Sequence, residues 1–346
     1  MLVLTSGAVR PPRVREVEAP GRYTGGITAR LLLDPWSPDY ETPVAFDGEV
    51  SAGFRGEVDV RVESAEWVAV GPGETPGWSP VRVCFVDGVR RVEARVMADD
   101  GGHMVHGLLA SVGVGAVVCQ EGSRAVYDAI RVSRYLLTGS GRSVAMDACG
   151  LWFEPQTVAG SMPEDLVNAM QQIMRTREAE LSASLFADAD TCVFADGPLS
   201  YHTLATHRIT GIIKRIFLPY LDSEHMALVM RLETGERTPV FAIRDGKYDR
   251  YSWFQRLAGQ RATEHAMAGI VRLEVRASLG LEAAVEIASF AAPTLCLYAS
   301  SAVRDGRAPQ NLLPVGALED ELRHRLGDAV LVRRAIEQAI AEGVSL

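Results

Sequence analysis

The sequence predicts an α/β protein: a mixed β-sheet with helices packed on its faces, preceded by a β-rich N-terminal arm. Three observations predict it. Apolar runs at 81–88, 90–99 and 108–119 follow one another across short turns, as strands of an antiparallel meander do. A helical repeat then covers 163–186, where Leu166, Met170, Ile173, Met174, Leu181 and Leu185 recur at three- and four-residue spacing. Beyond it, short apolar strands mix with helical segments, without the regular alternation of a doubly wound parallel sheet.

Each element has its own signal. Residues 1–75 are broken by proline and glycine and carry alternating runs at 27–33 and 58–68, the second reading VDVRVESAEWV. The stretch GPGETPGWSP at 71–80 is a loop. The chain therefore divides into a β-rich arm, 1–75, and a main domain, 76–346. In the main domain VRVCFVDG (81–88), RRVEARVMAD (90–99) and 108–119 are the meander strands, and a glycine-serine turn falls at 139–143. Pro163, Glu164 and Asp165 suit the first turn of the long helix. TCVFADG (191–197) is a buried strand. Segments 209–218, 227–232 and 239–244 are short strands or strand-helix pieces. A strand at 271–277 precedes a helix at 281–292, and a last helix covers 318–343 with a break near Gly327.

Composition excludes several classes. With 346 residues, 47% hydrophobic and 23% charged, the chain can bury a sizeable core and is neither a disordered tail, a disulfide miniprotein nor a fibre. A net charge of -9 gives no global basic field, so any contact with nucleic acid must use a local patch. The N-terminus is apolar for only four residues, too few for a secretory signal, and no apolar run is long enough to span a bilayer. Cys84, Cys119, Cys149, Cys192 and Cys296 are scattered and form no CxxC. The expectation is a cytoplasmic protein with free thiols and no membrane partner. Of the 35 basic residues, only Lys214 and Lys247 are lysines.

Two aspartates carry the chemical signal. Asp87 and Asp196 end apolar runs, Cys-Phe-Val-Asp-Gly and Val-Phe-Ala-Asp-Gly. Carboxylates at the ends of neighbouring buried strands are held rigidly and can share hard divalent cations. The competing reading is an ordinary Asp-Gly turn, a dipeptide that recurs at 47, 245 and 305. Glu178 and Glu180 lie on the preceding helix, about 200° apart, so only one can face a shared site. Lys214 follows an apolar strand in GIIKR and suits a phosphate beside a metal; otherwise it is an edge lysine. Arg307, Gln310 and Asn311 in RAPQNLLP can hydrogen-bond a phosphate backbone or simply build a loop. His202 and His207 lie close to the Asp196 turn. Gly113-Val-Gly115 and GSGRS (139–143) lack the remaining residues of nucleotide-binding loops. Val89 stands where a phosphohydrolase with an aspartate nucleophile would carry its second acid, which speaks against that chemistry.

Taken together, CFVDGVRR (84–91), RTRE (175–178), VFADGPLS (193–200) and GIIKR (211–215) resemble the NurA nuclease family over roughly residues 81–330. The resemblance implies an RNase H-like core and a two-metal DNA nuclease activated by manganese (or magnesium), acting on DNA ends or single strands in repair. It also implies a homodimer with a DNA-admitting channel and a HerA-type hexameric ATPase partner. By this resemblance Asp87 and Asp196 are metal ligands, Glu178 (or Glu180 in the alternative register) is the helical ligand, and Lys214 is the lysine of the site. One departure stands out. The family's histidine near the start of the last helix falls at Ala317 or Leu318 here, and the nearest polar residue is Glu319. Either Glu319 replaces it or cleavage is weakened, leaving a DNA-processing partner of the ATPase.

Overall fold

The computed structural model describes residues 30–33, 56–73, 77–100, 103–140, 145–185, 190–202, 208–216, 220–246, 248–260, 264–301 and 309–343. The strands up to the long helix are β1 (Arg30–Leu33), β2 (Glu57–Asp59), β3 (Arg82–Asp100), β4 (His103–Gln120), β5 (Val126–Thr138), β6 (Met146–Ala148) and β7 (Leu151–Thr157). Helix α1 (Pro163–Leu185) leads to β8 (Thr191–Asp196), β9 (Ile209–Ile213) and α2 (Ser223–Arg231). Then come β10 (Phe241–Arg244), β11 (Arg250–Arg256), β12 (Ile270–Arg276), α3 (Leu281–Leu297), α4 (Leu313–Arg325) and α5 (Ala329–Ala341). Among the described residues twelve strands form one mixed sheet, ordered β2-β10-β11-β12-β9-β8-β3-β4-β5-β7-β6, with β1 also on β3. The β3–β8, β8–β9 and β5–β7 pairs are parallel; the other pairs are antiparallel.

Several expectations change. Segments 81–88 and 90–99 are not two strands but one, β3, which bulges between Val92 and Ala94. Asp87 and Gly88 make no turn there, because both stay in the ladder opposite Gly115 and Val114. The third meander strand is β5, which the sequence hides. Its alternation is broken where Ala129 takes a positive φ of 49° and Asp128 Oδ1 accepts from the Ala129 N–H. The 58–68 strand shrinks to β2. Asp59 Oδ1 accepts from Arg61 N at 3.0 Å, which turns the chain, and Glu63 is drawn to Arg237 at 2.8 Å. Segment 227–232 lies largely in α2, capped by Asp222. Of the arm, β1 pairs with β3 and β2 with β10, both in the main sheet. The Asp-Gly at 245 is the expected exposed turn, with Gly246 at φ 79° and Asp245 Oδ1 accepting from Tyr248 N. Those at 47 and 305 lie outside the described residues.

Period-two alternation sorts the sheet into two apolar faces. Phe85, Phe194 and Leu273 face one way and meet α3 and α4. Cys84, Val86, Val193 and Ala195 face the other way and meet α1. Helix α5 packs on Ala94, Val96, Leu109 and Leu136 at the far end. The last helix is in fact two, separated by Gly327 at φ 82°, and it begins earlier than expected, with Pro314 in its first turn. Helix α4 sits low on the sheet because Gly113 and Gly115 offer no side chains beneath it. A Cβ on Gly115 would stand 3.3 Å from Leu318 Cδ1 and 2.5 Å from Ile130 Cδ1. Its C-terminal carbonyls are held by guanidiniums: Arg91 Nη1 donates to Gly327 O at 2.8 Å, and Arg134 Nη2 to Leu326 O at 3.0 Å.

Gly115→Val tests this seating. Overpacking under α4 is expected to lower stability by about 1–3 kcal/mol, read as a lower urea midpoint. An unchanged midpoint would show that α4 does not press on this position.

Candidate metal centre

The pairing register brings the two aspartates together. Parallel β3 and β8 match Arg82 with Thr191 through Val86 with Ala195, and the next residues in each strand are Asp87 and Asp196. Both side chains therefore project to the same face, that of Phe85 and Phe194. There β8 ends: Gly197, at φ 106°, turns the chain away. On this side β3 continues without a partner strand, among the described residues, until β1 joins it at Val96. Between Val86 and Val96 that edge of β3 has no partner strand among the described residues, and Gly88, Val89 and Arg90 line a cleft of about 880 Å3.

Helix α4 delivers the third carboxylate. Pro314, Val315, Leu318 and Leu322 bury one stripe of α4, and Glu319 lies beside it, 6% exposed. Asp87, Asp196 and Glu319 each place an oxygen within 4.8 Å of the others. This buried cluster suits chelation of a divalent cation, as in metal-dependent hydrolytic sites generally. The donors are all hard oxygens, which fit magnesium or manganese. One donor is conspicuous: Asp87 Oδ1 accepts from Gly88 N at 2.8 Å, whereas Oδ2 is buried without a hydrogen-bond partner among the described residues. Burial, the charge of Asp196 and, more weakly, those of Glu178 and Glu319 hold the Asp87 carboxyl well above its usual range; Lys214 alone opposes them.

The other expected residues fall around this cluster. Glu178 is buried on the α1 side of the sheet. Its Oε1 stands 2.5 Å from where a Cβ of Gly88 would be, so the missing side chain lets it approach β3 next to Asp87. Glu180 is on the outer face of α1, 54% exposed and paired with Arg177. Lys214 Nζ bonds Asp196 Oδ2 at 2.8 Å and Asn311 Oδ1 at 2.7 Å. Asn311 is 1% exposed, while Gln310 lines the cleft; Arg307 and His207 lie outside the described residues. His202 is buried and is not one of the three grouped carboxylate ligands, and burial followed by the charge of Arg175 pulls its imidazole down to about 4.

Some participants were not singled out as site residues in the sequence. Arg175 donates to Glu178 Oε2 at 2.8 Å and to the Asp196 carbonyl at 2.6 Å, tying α1 to the end of β8. Glu274, fully buried in β12, accepts from Leu199 N at 3.0 Å and from Tyr248 OH, fixing the turn after Asp196. The cleft is also lined by Arg90, Arg215, His265 and Arg323, and Arg323 donates to Glu319 at 3.0 Å. The Arg175–Glu178 and Glu319–Arg323 spacings were visible in the sequence, and Arg90, Arg175 and Arg215 fall within the segments that carry the resemblance, but none of these arginines was marked there as part of a site. No helix among the described residues is long and apolar enough to cross a membrane. Neither protein-family models nor curated proteins give a match to this chain.

Asp87→Asn separates cost from function. The amide keeps the bond from Gly88 N and removes a repelled charge, so the metal-free variant is expected to gain about 1 kcal/mol at neutral pH. The folded pKa of Asp87 is raised, so its protonated form is favoured on folding, and wild-type stability falls as pH rises through that value. The advantage of the variant should therefore vanish below about pH 4 and grow upward. Thermal melts across pH without metal check this; an advantage constant with pH would contradict it.

Proposed function

We propose that this chain is a divalent-metal-dependent DNA nuclease of the NurA type, hydrolysing phosphodiesters at DNA ends or in single strands. The observation that carries the reading is the convergence of Asp87, Asp196 and Glu319, from two strands and a helix, in the lining of the cleft. A meander, β3-β4-β5, joined through α1 to the parallel strands β8 and β9, is consistent with an RNase H-like topology. Glu319 brings a third carboxylate within 4.8 Å of the two aspartates, which supports the active reading over a weakened partner.

A bound manganese or magnesium ion would supply Lewis-acid polarisation of the phosphate and a hydroxide nucleophile at neutral pH. Asp87, Asp196 and Glu319 would hold that charge, and Glu178, which approaches β3 at Gly88 from the α1 side, would orient the attacking water from that side of the strand edge. Arg90, Lys214, Arg215 and Arg323 face the substrate phosphates, which reconciles an anionic substrate with a net charge of -9. Gln310 adds a neutral donor on the same wall. The reading extends to a homodimer and a HerA-type hexameric ATPase partner; light scattering that finds a monomer at micromolar concentration would count against the dimer.

Cleavage of labelled single-stranded DNA with manganese is the direct test. Asp87→Asn and Glu319→Gln should each lose more activity than the roughly 10–100-fold typical of an outer-shell change. Glu180→Gln should cleave like wild type. Wild-type rates in Asp87→Asn would remove the site from the reaction.

A further inference from the structure

Among the described residues, Asp196 is a carboxylate of the cluster that bonds an ammonium. Lys214 is the first residue beyond β9, and its Nζ sits 2.8 Å from Asp196 Oδ2 and 2.7 Å from Asn311 Oδ1. The lysine and aspartate side chains are 18% and 21% exposed, so the pair is well shielded from solvent. Arg175 reaches Asp196 through its backbone carbonyl, and Arg323 pairs with Glu319 from a side chain 55% exposed. The contact made by Lys214 is thus both short and shielded. A divalent cation drawing on Asp196 Oδ2 meets a like charge already bonded to that oxygen, and at such separations the repulsion is large.

We propose that Lys214 is the resident counter-ion of the metal-free cluster, that it competes with a divalent cation for Asp196, and that Asn311 is its positioning residue. The proposal rests on the metal-binding part of the function proposed above and not on the identity of the substrate. The displaced ammonium stays at the cleft wall because Asn311 Oδ1 still holds it, and Lys214 lines that cleft. It then faces the substrate with donors freed from Asp196. Lysine suits this exchange better than arginine, whose planar fork would grip both carboxylate oxygens at once. Its presence here, in a chain with 35 basic residues and only two lysines, fits that requirement.

Calorimetric titration with Mn2+ tests the competition. Lys214→Met is expected to bind Mn2+ about tenfold more tightly than wild type. It should melt lower without metal and gain more stability from added Mn2+. A lysine with a purely structural role would give the lower melting temperature with no gain in affinity, and Mn2+ binding equal to or weaker than wild type overturns the proposal. If Lys214→Met does not fold, the wild-type chain still answers. Lysine-selective isotope labelling yields just two side-chain signals, Lys214 and Lys247, assigned through Lys214→Arg. Diamagnetic Mg2+ should shift the Lys214 signal and leave that of Lys247 in place. A Lys214 signal unmoved at a Mg2+ concentration that calorimetry shows to be saturating overturns the proposal. Asn311→Ala should shift the same signal in the metal-free protein; no shift removes its positioning role. DNA cleavage without any lysine response refutes the counter-ion alone, and a lysine response without cleavage refutes the nuclease reading alone.

Discussion

Five residue pairs between β3 and β8, from Arg82 with Thr191 to Val86 with Ala195, are the constraint on which the site depends. Parallel strands in this register present their next residues side by side on one face, and here those residues are Asp87 and Asp196. A slip of one residue would send either carboxylate to the opposite face. The register is pinned from both sides of the sheet. Phe85 stacks on Phe194 at 5.6 Å beneath α3 and α4, while Cys84, Val86, Val193 and Ala195 are sealed under α1. The hydrophobic core thus holds two like charges together without any attraction between them.

Holding carboxylates this close costs stability, and the surroundings offset it only in part. Lys214 neutralises Asp196 and Arg323 screens Glu319, yet Asp87 keeps a buried oxygen with no hydrogen-bond partner among the described residues. Buried polar groups are normally satisfied, so an unsatisfied carboxylate oxygen facing two others is where a ligand is expected. The core tolerates this strain because it is extensive. Trp253, Phe85, Phe194, Phe241 and Phe254 are fully buried across the same sheet.

Arginine networks then fix the elements that carry the polar groups. Arg91 and Arg134 cap the end of α4, and Arg175 ties α1 to β8. Deeper in the sheet, Arg250 and Arg272 both reach Glu274, while Arg250 stacks on Tyr220 and Tyr248. Glu274 in turn holds the Leu199 N–H, so the turn that follows Asp196 is anchored two strands away, in β12. Such buried ionic groups add little net stability, but each resists displacement once its partners are in place.

The sequence by itself determined what periodicity and residue chemistry encode locally. The extent of α1, the apolar strand ending at Asp196, the break at Gly327 and the opposition of Glu178 to Glu180 on one helix were all legible. So was the pairing of Asp87 with Asp196 as chemically related groups. The tertiary structure decided the rest. Asp87-Gly88 reads locally as a turn, and only a long partner such as β4 keeps it extended. Strand β5 carries charges that break its alternation, and Glu63 abandons a strand because Arg237, far along the chain, needs a carboxylate. Glu319 was legible only as the polar residue nearest the missing histidine, and its entry into the cluster was decided for a similar reason. Its distance from Asp87 is set by the missing side chains of Gly113 and Gly115 beneath α4, and no pattern within the last helix reports what lies under it.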